Sequence, residues 1–250
     1  MSQQPRSRVN GRPGNAPRPI TIATGAVPYA EGSALISCGE TRVLCAASVD
    51  ERVPRWLMGR GQGWVTAEYS MLPRATARRT DREAKQGRQQ GRTVEIQRLI
   101  GRALRSVVDM EALGQRQIIV DCDVLQADGG TRCAAITGGY VALALACRHL
   151  RERRLVTRDP LRHAVAAISV GVVAGTPLLD LDASEDQRAD VDFNVVMTGA
   201  GAFVELQGTA ERAPFSPATL EELLSLSRIG LDQLFVAQRE SLATAERGLA

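Results

Sequence analysis

Paired cysteines are missing from this sequence. Its five cysteines, Cys38, Cys45, Cys122, Cys133 and Cys147, stand singly in apolar or strand-like surroundings, with no C-x-x-C spacing. That excludes a disulfide framework and fits buried, reduced thiols in a cytosolic protein. Histidine is scarce too. His149 and His163 each sit at the edge of an apolar segment, where a structural role is the ordinary one. Without a His/Cys cluster there is no basis for structural zinc. No nucleophile elbow and no Walker A loop occur. Gly59-Arg60-Gly61-Gln62-Gly63 looks like a fragment of a dinucleotide motif, but the spacing is wrong and no helix pattern follows. Long apolar runs are also lacking. The longest uncharged stretches, 133–147 and 164–179, fall short of the roughly 18 residues that argue for a membrane span. No apolar signal core stands at the N-terminus. Residues 1–19 contain Arg, Pro and Gly but no acid and read as a flexible basic arm, with 1–7 expected to lie outside a domain formed by 8–250.

What remains is an ordinary globular composition. The 250 residues are 44% hydrophobic and 24% charged with a net charge of +3, enough for a sizeable core but too nearly neutral to announce a nucleic-acid binder. Strand-like runs lie at 20–23, 33–38, 41–49, 64–71, 117–126, 164–173, 178–181, 192–198 and 202–207. In 117–126, Ile118, Val120, Cys122 and Val124 fall on one face, and Asp121 and Asp123 on the other. Helical spacing runs from about Thr93 to Leu113, with Thr93 as the expected N-cap and Gly114 as the stop. A helix rich in small residues is expected from Cys133 to about Leu150. Ser216-Pro217 starts a third, reaching about Arg239. Hairpins with long helices between them give an α/β (α+β) fold, a layered sandwich of mixed β-sheets and helices.

Three features carry chemistry. The first is Asp128-Gly129-Gly130-Thr131-Arg132, placed after a strand and before a helix. Glycines there let backbone N–H groups face a small concavity, the helix end adds free donors, and Arg132 offers a fork that matches phosphate oxygens. The bland reading is a tight turn with a solvated arginine. The second is the acidic set Asp180, Asp182, Asp186, Asp190 and Asp192. Carboxylates spaced in this way hold Mg²⁺ or Mn²⁺ or supply a general acid, or else form a solvated turn. Asp192 is singled out because it adjoins the apolar run 193–197. The third is the stretch 74–92, which has seven basic residues against Asp81 and Glu83, with Gly87 and Gly91 interrupting any helix. It reads as a mobile basic loop, serving RNA, an oligomer contact or neither. Anion cradle, acidic cluster and basic loop together suit a phosphodiester substrate.

Five stretches then point one way: 61–69 (GQGWVTAEY), 91–100 (GRTVEIQRLI), 121–132 (DCDVLQADGGTR), 192–198 (DFNVVMT) and 205–211 (ELQGTAE). Through them the chain resembles the RNase PH family, from about Arg8 to the last helix. The resemblance implies a single RNase PH-like domain in a cytoplasmic hexamer, a trimer of dimers. It implies a phosphorolytic exoribonuclease that trims tRNA precursor 3′ ends with inorganic phosphate as co-substrate. It also implies site residues: Arg92, Gly130, Thr131 and Arg132 for phosphate, Asp186 and Asp192 for metal and catalysis, and Arg74, Arg79 and Arg82 at the dimer interface and near RNA. Two competitors are weighed against it. A catalytically silent RNA-binding ring subunit is expected to lack the phosphate arginines or the acidic pair, and both are present. A hydrolytic exonuclease needs carboxylates for two metals but no anion cradle.

Overall fold

Apolar strands, alternating in the first sheet and buried on both faces in strands 165–173 and 191–198 of the second, build two sheets in this computed structural model, which describes Arg8 and residues 11–247. The arm expected at 1–7 lies outside the described residues. The first sheet contains β1 (Ile20–Thr24), β2 (Gly32–Cys38), β3 (Thr41–Asp50), β4 (Trp64–Met71) and β5 (Gln117–Gln126), in the order β1-β2-β3-β5-β4. In β5 the expected face is the buried one: Ile118, Val120, Cys122 and Val124 are all 1% exposed or less. β4 and β5 run parallel, which requires a crossover between them. The crossover carries α1 (Gly91–Arg105) and α2 (Met110–Leu113).

That pair corrects the single helix expected over 93–113. Asp109 adopts an extended backbone, and its side chain accepts from the amides of Glu111 and Ala112 at 3.1 and 3.0 Å, capping a second helix. Its own N–H donates to Pro160 O at 2.7 Å, and Val108 bridges Leu161. A distant segment thus interrupts a locally continuous pattern. Thr93 is not the cap of α1 either. The helix opens two residues earlier, behind Gln90, and the Thr93 hydroxyl donates to Glu83 at 2.6 Å.

The second sheet has the order β7-β6-β8-β9, with β6 (Val165–Val173), β7 (Thr176–Leu179), β8 (Val191–Thr198) and β9 (Phe203–Ala210). Between the sheets runs α3 (Thr131–Glu152), buried from Cys133 to Cys147. Its core cluster includes β2, β3 and β5 side chains on one side and Val165, Ala167 and Val196 from the second sheet on the other. Small residues permit this. A Cβ on Gly32 of β2 would lie 2.1 Å from Ala142 O of α3. By length and a mean hydropathy of 1.3, α3 meets the criterion for a membrane span, contrary to the expectation from uncharged runs; here it is the central core helix. The short α4 (Ala183–Asp186) follows β7, and α5 (Pro217–Arg247) covers the second sheet, capped by Ser216 as expected but eight residues longer.

The start of the described chain is not a free arm. Arg8 is buried and pairs with Glu185 through Nε at 2.6 Å and Nη2 at 2.5 Å. Arg12 donates to Asp180 O at 2.8 Å. Arg18, 5% exposed, grips the Asp180 carboxylate. Acids more than 160 residues away hold this basic segment, so local composition did not reveal it.

Candidate active site

Two loops meet at the N-terminal end of α3. The first runs from β5 into α3 through Asp128, Gly129 and Gly130. Gly129 and Gly130 have φ of 76° and 66°, both in the left-handed region that favours glycine. A Cβ on Gly129 would lie 2.6 Å from Leu181 O, so the two loops are in direct backbone contact. Gly130 is the N-cap of α3 and offers no side-chain cap, which leaves the first-turn amides open to a ligand. Thr131 begins the helix, and its hydroxyl lies 2.9 Å from the Tyr69 hydroxyl. Burial raises the pKa of that tyrosine, while Thr131, Arg92 and Arg132 act to lower it. Both arginines therefore lie near that hydroxyl.

Arg132 is half-buried. It donates to Gln207 Oε1 at 2.7 Å and lies 3.7 Å from Glu95, while Gln207 Nε2 donates to the same Glu95 carboxylate at 2.6 Å. Its guanidinium is thus aimed by β9 and α1 rather than left in solvent. Arg92, in the first turn of α1, is exposed at the mouth. With Gly130, Thr131, Arg132, Asp186, Asp192 and Asn194 it lines a cleft of about 330 Å³.

The acidic set divides. Asp180 is taken by Arg18. Asp182 caps α4 in a capping box with Glu185. Asp190 pairs with Arg212 at 3.5 Å. Asp186 and Asp192 remain and face the cleft. Burial raises the pKa of Asp192 above its ordinary value, the nearby Asp186 charge raises it further, and Arg132 partly opposes both. Among the described residues no group of three or more His, Cys, Asp or Glu side chains assembles to hold a metal. Two like-charged carboxylates beside an anion cradle still match the donor set of a divalent cation that takes its other oxygens from a phosphate and water.

The loop arginines are not gathered in this cleft. Arg74 and Arg79 are exposed, and Arg79 pairs with Asp81 at 2.7 Å. Arg82 lines a neighbouring cleft of about 760 Å³ that shares Arg92 with the first and is also lined by Tyr69, with Glu68, Asp121 and Asp123 on the β4–β5 side. Residues 74–90 are irregular apart from a 3-10 turn at Glu83–Gln86, and Gly91, expected to interrupt any helix, instead begins α1. All five cysteines are free, as expected. Sequence reasoning did not single out Tyr69, Gln207 or Arg18. The first two lie within the stretches 61–69 and 205–211, but no local pattern marks either as a partner of the cradle.

The chain matches the 3′ exoribonuclease family, domain 1 over residues 16–148 and domain 2 over residues 163–230. A protein of Solibacter usitatus named Ribonuclease PH is 58% identical over 233 residues, which is 93% of this chain and 98% of that one. Two solved structures share the fold at low identity. Rice Rrp46 has a TM-score of 0.73 at 20% identity, covering 94% of this chain and 100% of that one. The Archaeoglobus fulgidus exosome with RNA bound to the active site gives 0.76 at 21%, covering 90% and 89%.

Proposed function

This chain belongs to the 3′ exoribonuclease family, and we propose that its cleft performs phosphorolysis of RNA 3′ ends, with tRNA precursors as substrates. The observation that carries the reading is the convergence of Arg92, Arg132 and the uncapped start of α3 on one small cleft that also holds Asp186 and Asp192. An oxygen of inorganic phosphate attacks the phosphorus of the last phosphodiester. The bond from that phosphorus to the 3′ oxygen of the preceding nucleotide breaks. A nucleoside diphosphate leaves, and the shortened RNA keeps a protonated 3′ hydroxyl.

Phosphate is a weak nucleophile, so most of the acceleration comes from position and charge. Arg132, held by Gln207, and Arg92 bind the attacking phosphate; Gly130 and Thr131 offer it main-chain amides and a hydroxyl. Asp186 and Asp192 would hold Mg²⁺ or Mn²⁺. When bound, that ion supplies neutralisation of the charge on the leaving 3′ oxygen. Alternatively, Asp192, whose burial raises its pKa, delivers the proton to this oxygen in place of holding the ion. Arg74, Arg79 and Arg82 serve RNA and the contact between copies in a hexamer built as a trimer of dimers. Five free thiols suit the reducing cytoplasm. A catalytically silent ring subunit would have no use for a guanidinium aimed in this way at an open helix end.

Incubation of RNA and Mg²⁺ with labelled phosphate tests the reading. Labelled nucleoside diphosphate is the expected product, and added diphosphates should extend the RNA in reverse. Release of monophosphates alone, with or without phosphate, would mark a hydrolase and sink it.

A further inference from the structure

We propose that Arg18 is a positioning residue that locks the phosphate cradle to the arm bearing Asp186, so that phosphate affinity depends on a side chain outside the cleft. The inference rests on the phosphorolytic reading above. The Arg18 guanidinium reaches both loops at once. On one side its Nε and backbone N–H donate to Asp180 Oδ2 at 2.9 and 2.7 Å, and Nη2 donates to Oδ1 at 2.7 Å. On the other, Nη1 donates to Asp128 O and Nη2 to Gly129 O, the latter at 3.3 Å.

Those two carbonyls matter because a peptide unit is planar and trans. Fixing the Asp128 and Gly129 oxygens towards Arg18 turns the N–H groups of Gly129 and Gly130 to the opposite side. Left-handed glycines have little intrinsic preference for that orientation, so something must impose it. Thr41 helps: its hydroxyl donates to Gly129 O at 2.7 Å and accepts from Asp128 N–H at 2.9 Å. Arg18 hydrogen-bonds both this turn and Asp180, the residue that leads into Asp182 and α4. Asp180 itself has φ of 55°, an uncommon backbone state for a non-glycine residue, held by the pairing. Asp128 Oδ1 accepts from Ala183 N–H at 3.3 Å, a second and weaker stitch between the loops.

The planar five-donor fork is what makes this possible. A lysine keeps the charge for Asp180 but is a point donor that cannot also order two carbonyls in fixed directions. Arg18→Lys should therefore retain the fold and loosen the cradle. The expected result is a rise of about tenfold in KM for phosphate, with affinity for an RNA oligonucleotide, measured without phosphate, within about twofold of the parent. Asp180→Asn should show the same split, and it decides the question if the lysine chain does not fold. A phosphate KM within about twofold of the parent in a folded variant, or equal loss of phosphate and RNA affinity, overturns the proposal. The parent chain is assayed alongside. If it makes no nucleoside diphosphate, the phosphorolytic reading has failed. If it does and the variant matches it, only the lock has failed.

Discussion

Around the cradle, the arginines that shape the backbone are buried and paired: Arg8 with Glu185, and Arg12 and Arg18 with Asp180. Along 74–88 the arginines are exposed, and the ion pair of Arg79 with Asp81 joins near neighbours that are both more than half in solvent. The two regions carry similar residues to different ends. Buried, forked pairs have no water to compete with and fix a geometry before any ligand arrives. Exposed charges fix little, are screened by salt and act on a polyanion at a distance. A small, strongly hydrated anion such as phosphate needs the first arrangement. A long, variable RNA is served by the second.

The sharpest way to break this contrast is Arg132→Ala. If the cradle is pre-built for phosphate, kcat/KM for phosphate should fall by about a hundredfold to a thousandfold, as when one oriented donor is removed from a charge-stabilising site. RNA binding without phosphate should change far less. An equal loss in both would place Arg132 on the RNA backbone instead. Next in size comes the loop. Arg79→Ala and Arg82→Ala should each weaken RNA affinity modestly and lower the slope of log affinity against log salt by about one per contact, leaving phosphate KM alone. A salt slope unchanged in both would remove these residues from the RNA path.

A smaller effect distinguishes the buried pairs by pH. Burial pushes the Asp180 carboxyl up, but the Arg18 hydrogen bond and charge outweigh it and hold the pKa below the ordinary value. A carboxyl lowered on folding contributes stability above its unfolded pKa of about 3.9 and loses it as pH falls through the folded value. Melting temperatures across the acid range should therefore drop steeply only in strong acid. Asp180→Asn should flatten that limb; an unaltered limb would show that the pair adds nothing. The least effect is expected from Ser169→Ala. The buried Ser169 hydroxyl beneath Gly130 has no hydrogen-bond partner among the described residues. Its removal should leave both stability and phosphate KM close to the parent values, because no bond is lost. A large rise in phosphate KM would instead make it a ligand.

Much of the fold can be read from the chain, because its strands either alternate or run apolar and its helices repeat within their own length. β5 is the clear case: the residues expected on its inner face are the buried ones, and its expected ends are the observed ends. The break between α1 and α2 was hidden because Asp109 is anchored by Pro160, about fifty residues later. The acidic set shows the same limit. Five aspartates look alike in sequence, and only their partners Arg18, Arg212 and the α4 amides separate the three structural ones from Asp186 and Asp192. The turn at 128–132 was legible as an anion site in kind. Its stiffness was not, because the arginine that braces it stands 110 residues away in a stretch that composition alone marks as loose.

The burial of α3 bears on how the chain is made. This helix is apolar on nearly every side and would be a hazard if it waited uncovered in water. All five strands of the first sheet precede it in the chain, and β6 to β9 and α5 follow it. During synthesis a finished platform of β2, β3 and β5 is therefore available when residues 131–152 emerge, and one flank is shielded at once. The other flank stays open until β6 arrives. The order of elements along the gene thus limits the time this stretch is exposed to wrong partners.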